Sequence, residues 1–125
     1  MALVHIISVQ AFPLINVLTW STYLLLSLFP ISIFWSLRRL GFGQLTAAMG
    51  GVISPAIGTD FQLYGGFGYW NYTFSGVGLY AQLWGMVLLP PALALGYRVV
   101  LEGRGYFWAT LLLAMTLMSH LVYGY

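Results

Sequence analysis

The sequence predicts an all-α integral membrane protein with four transmembrane helices, and three observations predict it. The chain is 61% hydrophobic and only 5% charged, with a mean hydropathy of +0.90, a composition that ordinary soluble domains do not have. Its uncharged stretches are long enough to cross a bilayer at about 1.5 Å of rise per residue. Its four arginines stand in two groups at the ends of such stretches, Arg38 with Arg39 and Arg98 with Arg104. The predicted spans are about 13–37, 40–59, 76–98 and 106–123, joined by short loops in a single membrane domain over 1–125 with no soluble domain.

The first span, Pro13 to Leu37, is apolar apart from hydroxyls and Asn16, and it stops at the Arg38-Arg39 pair. Pro13 suits a first helical turn, where its missing donor costs little, and Pro30 is expected to kink the helix from inside. The uncharged lead from Met1 to Phe12 reads as an interfacial segment. It lacks the basic start and small-residue cleavage pattern of a secretory signal, so cleavage is not expected.

The second span, Leu40 to Thr59, is rich in glycine and only modestly hydrophobic, and charge arithmetic argues for it. The positive-inside rule places all four arginines on the cytoplasmic side. A chain that leaves that side at Arg39 and returns to it at Arg98 must cross outward between them. Gly43, Ala47 and Gly51 form one small-residue row, and Gly50, Ser54 and Gly58 a second, so another helix can approach closely. Pro55 frees the carbonyl of Gly51.

The loop from Asp60 to Ser75 then lies outside. Its Tyr64, Phe67, Tyr69, Trp70 and Tyr72 read as an interfacial aromatic belt, or more specifically as a docking surface for a partner. Asn71-Tyr72-Thr73 matches a glycosylation acceptor, a three-residue pattern that chance often supplies.

The third span, Gly76 to Arg98, carries Gly78, Gln82, Gly85, Leu89, Ala92 and Gly96 at alternating steps of four and three. This stripe is expected to pack on the second span as a close glycine-rich pair. Pro90 and Pro91 remove two donors, leaving the carbonyls of Met86 and Val87 without their usual partners, and a neighbouring subunit is the expected cover. Gln82 reads as an interhelix hydrogen-bonding group. The charged turn Val99 to Gly105 follows, with Arg98 and Glu102 able to pair if the helix runs one turn further. The fourth span opens on Tyr106, Phe107 and Trp108 and closes on Tyr123. Both termini are thus expected outside.

The chemical inventory is thin. Cysteine is absent, which removes disulfides, thiolate metal sites and cysteine nucleophiles. Four arginines are too few for a nucleic-acid surface, and no phosphate-binding loop occurs. Asp60 and Glu102 fall on opposite sides of the bilayer and cannot act as a pair, so no enzyme activity is expected. His120, near the outer end of the last span, is costly in a membrane unless partnered. A structural hydrogen bond is its simplest role, and ligation of haem or a pigment, or proton transfer, are the alternatives. No metal site and no cofactor of its own are expected, with lipid, haem or pigment contact left open. The expected function is that of a small accessory subunit of a larger membrane complex, an energy-converting respiratory or photosynthetic assembly above all. It would meet membrane lipids and other integral membrane subunits, and contribute packing and shielding rather than chemistry. A homo-oligomeric channel or small transporter, and a haem or pigment protein using His120, are the competing expectations.

Overall fold

A computed structural model describes residues 14–56 and 80–119. Among them are four α-helices: α1 (Leu14–Arg39), α2 (Gln44–Ile53), α3 (Tyr80–Glu102) and α4 (Tyr106–Ser119), with a 3-10 turn at Ser54–Ala56 after α2. Two of these, α1 and α3, are long and apolar enough to cross a membrane. Only 17% and 22% of their most apolar windows are buried, whereas the core helix of a soluble protein is mostly buried. Their apolar surface therefore faces outward rather than into a core.

Each helix begins and ends for local reasons. Gly41, at φ 94°, stops α1 in a left-handed conformation that side chains disfavour. The Phe42 amide donates to the Leu37 carbonyl at 3.1 Å and the Gly41 amide to that of Arg38 at 3.2 Å, the paired bonds of a Schellman cap. The Arg38 guanidinium adds a 3.0 Å bond to the Phe42 carbonyl, fastening the turn into α2. Gly103 closes α3 likewise, its amide bonding the Val99 carbonyl at 2.9 Å.

Packing links the helices in the order α2, α1, α3, α4. α3 lies against α1 on one side and α4 on the other, and α2 lies against α1. Leu25 and Leu26 of α1 meet Leu83 of α3 in the buried cluster, flanked by Tyr80, Met86 and Val87. At about 100° per residue, Leu83, Val87 and Ala94 share one side of α3, while Gln82, Gly85 and Ala92 share the side roughly opposite. The first set faces α1. The second, small-residue set is buried as well. α4 packs against α3 with its buried Ala109 and Thr116 two turns apart on one stripe.

This order corrects the expected pairing of the second and third spans. Among the described residues α2 packs on α1 and makes no extended contact with α3. The reason is visible at Gly51. A Cβ built there would lie 2.9 Å from the Pro30 carbonyl oxygen and 3.4 Å from Phe34 Cβ, so the two backbones approach where Gly51 meets the proline turn of α1. At Gly50 a Cβ would instead meet the Leu37 Cδ1 methyl, the tip of a side chain that can turn away. The helical part of the second span is also shorter than its predicted range. Ten residues of α2 reach about 15 Å, half of a hydrocarbon core, and residues 57–59 lie outside the described region.

Candidate functional site

Three of the four arginines line one groove. It holds about 560 Å³ between the ends of α1, α3 and α4, and its walls include Trp35, Arg39, Arg98, Glu102, Arg104 and Trp108. The placement follows from chain direction. Leu25 and Leu26 lie near Leu83, Ser32 near Val87, and Arg39 near Arg98, so α1 and α3 run parallel and end together. The turn 103–105 then brings Arg104 and the start of α4 to the same end.

Charge in this groove is unbalanced. Glu102 grips Arg98 through both carboxylate oxygens, accepting from Nε at 2.9 Å and from Nη2 at 2.7 Å. The pair is i,i+4 on a helix that continues past Arg98, and its side chains are 32% and 47% exposed, so it contributes a few tenths of a kcal/mol, about 0.3–0.5. Arg39 lies over the Trp35 ring with its guanidinium carbon 4.8 Å from the centroid, a cation–π contact that fixes the head without neutralising it. Arg104 has no ion partner among the described residues. Phe107 and Trp108 stand edge to face, 5.2 Å apart at 77°, at the opening of α4.

A second groove shares Trp35 with the first. It holds about 330 Å³ and runs along the α1–α3 seam past Leu28, Ile31, Val87, Leu88 and Pro91. Every one of these residues but Ser32 is apolar. Ser32 does not offer its hydroxyl to the groove, because that hydroxyl donates to the Val87 carbonyl at 2.6 Å. Val87 is the carbonyl that Pro91 deprives of its helical donor. For Val87 the cover expected from a neighbouring subunit is thus supplied by the chain itself. Ser54 does the same for the carbonyl freed by Pro55, donating to Gly51 O at 2.8 Å.

Of the other sequence-predicted residues, Ala47, Gly51, Gln82, Gly85 and Ala92 are buried between helices. Gly43 and Gly96 are not part of any close approach: nothing lies within 4 Å of a Cβ built on either. Gly43 is the residue capping α2. Gly78, His120 and the loop aromatics Tyr64, Phe67, Tyr69, Trp70 and Tyr72 lie outside the described residues, as does Asp60. Sequence reasoning did not single out Ser32 or Trp35, and it named Ser54 only as a small residue of the second row and Trp108 only as an interfacial aromatic. Ser54 carried a signal, standing directly before Pro55 with the freed carbonyl three residues back. Ser32 carried none, because its acceptor is 55 residues away.

Comparison with known proteins finds no match for this chain among family models, curated proteins or solved structures.

Proposed function

We propose that this chain is a multi-pass membrane protein serving as a small accessory subunit of a larger membrane complex. The observation that carries the reading is the open arrangement of its helices. They succeed one another as α2, α1, α3, α4 and leave large apolar side chains facing outward along the row, Trp20 at 73% and Val52 at 79% exposure among them. A row has two broad faces, and in a bilayer both suit helices of other proteins as well as lipid. In the proposed topology all four arginines are cytoplasmic, α1 and α3 run inward, the chain crosses outward between them and again through α4, and both termini are outside. An energy-converting assembly is the favoured host by association alone, since such assemblies commonly carry small charge-poor subunits.

Extraction from the native membrane in a mild detergent, followed by identification of the co-migrating proteins, tests this. The subunit reading expects a defined set of larger integral membrane partners. Migration as a lone monomer would overturn it, and migration as a homo-oligomer that conducts ions in liposomes would assign the channel reading instead.

A further inference from the structure

We infer that the arginine-lined groove and the apolar groove beside it form one binding site for an anionic phospholipid, the phosphate at Arg39 and Arg104 and an acyl chain along the α1–α3 seam. The inference rests on the membrane reading and is independent of the subunit reading. Charge argues for the headgroup. The first groove contains three arginines against one carboxylate, and that carboxylate is already engaged by Arg98. Arg39 and Arg104 thus converge with their charge uncompensated, where a phosphate oxygen accepts charge-assisted hydrogen bonds from both.

Continuity argues for a lipid rather than a free anion. Trp35 belongs to both grooves. From Trp35 the apolar groove extends to Leu28, seven residues back along α1 or about 10 Å, a length that seats a substantial part of an acyl chain. Its one polar side chain, Ser32, is turned into the helix seam by its bond to Val87, so the wall that a chain would touch is dry. Trp35 stands at the junction of the two grooves and Trp108 lines the arginine groove, and indole rings favour the boundary between headgroup and hydrocarbon. A free phosphate would use the arginines and leave the apolar groove idle.

The test uses the full chain purified in detergent and delipidated, with native mass spectrometry counting bound lipid during titration. Phosphatidylglycerol, phosphatidylcholine of the same chain length and inorganic phosphate are the three probes. The expected result is one saturable phosphatidylglycerol site, weaker binding of phosphatidylcholine, and little competition from inorganic phosphate. The double variant Arg39→Gln with Arg104→Gln should weaken phosphatidylglycerol binding about thirtyfold, while Arg39→Lys retains most of it. Ile31→Trp, which fills the apolar groove and touches no arginine, should weaken it too, and helical circular dichroism shows whether each variant keeps its fold. Equal binding of the two lipids, unchanged binding in the double variant, or full competition by inorganic phosphate would each overturn the proposal. A chain that stays dispersed without any detergent removes the membrane reading itself, a separate failure.

Discussion

The hydroxyl of Ser32 on α1 donates a 2.6 Å hydrogen bond to the carbonyl of Val87 on α3, the carbonyl that Pro91 leaves without a helical donor. Two features that look like defects when taken singly, a serine in an apolar span and a proline inside a helix, complete one another. Ser32 is buried, its own carbonyl accepts from the Ser36 hydroxyl at 2.6 Å, and these two carbonyls are thereby satisfied without water. In hydrocarbon an unpaired carbonyl has no solvent to turn to. The bond therefore fixes the register of α1 against α3.

The coupling between these residues can be measured. Ser32→Ala should lower stability by about 1–2 kcal/mol, read from the midpoint of denaturant-induced loss of helical circular dichroism. In a Pro91→Ala background the restored amide at residue 91 can bond Val87 itself, so the same serine replacement should cost less than half as much. Equal losses in the two backgrounds would show that the hydroxyl is not covering the proline's gap.

Glycines offer a second contrast. Gly51→Ala pushes a Cβ to 2.9 Å from the Pro30 carbonyl oxygen, and a backbone atom cannot step aside as a side-chain tip can. A loss of about 1–3 kcal/mol is expected from this overpacking. Gly96→Ala adds its methyl to open space inside α3, where alanine is the better helix former by up to about 1 kcal/mol, so stability should hold or rise. Thermal melting in detergent separates the two. A Gly96→Ala protein as damaged as Gly51→Ala would mean that α3 is approached there by something the helix row does not contain.

How far the fold was legible follows from the range over which each signal acts. The extents of α1 and α3 were readable because hydropathy and terminal arginines are local, and the Arg98–Glu102 pair was readable because i,i+4 geometry is local. The small rows at Ala47 and Gly51 and at Gln82, Gly85 and Ala92 announced that some helix comes close. They could not say which, because a smooth face carries no identity of its partner. Gly51 meets the proline turn at Pro30 of α1. The groove was hidden for a related reason: the arginines set the direction of α1 and α3 but not that the two lie side by side, and Trp35, Arg39 and Trp108 converge only once they do.

Leu83 lies off the small-residue stripe of α3, on the side that meets α1. In the structure it is 2% exposed and joined to Leu25 and Leu26. Leu83→Ala should therefore open a cavity in the α1–α3 seam and cost about 2–4 kcal/mol, whereas Met118→Ala, at a position 89% exposed, should change the melting midpoint little. A tolerant Leu83 would mean that the cluster collapses around the loss or does not form in detergent.

The parallel course of α1 and α3 makes the last prediction one about sides. The chain has no cysteine, so single introduced thiols report their own accessibility. Phe42 follows the end of α1, and Glu102 is the last residue of α3. Because Arg39 and Arg98 share a groove, Phe42→Cys and Glu102→Cys should react with a membrane-impermeant maleimide from the same side of sealed vesicles. Trp70→Cys, in the sequence between α2 and α3, should react only from the other side if the chain crosses outward after Arg39. Opposite labelling of positions 42 and 102 would contradict the packing of α1 on α3. Labelling of position 70 from the same side as 42 would leave that packing intact and remove the outward crossing, turning the segment after Arg39 into a re-entrant loop. The first result reports helix direction and the second the number of spans.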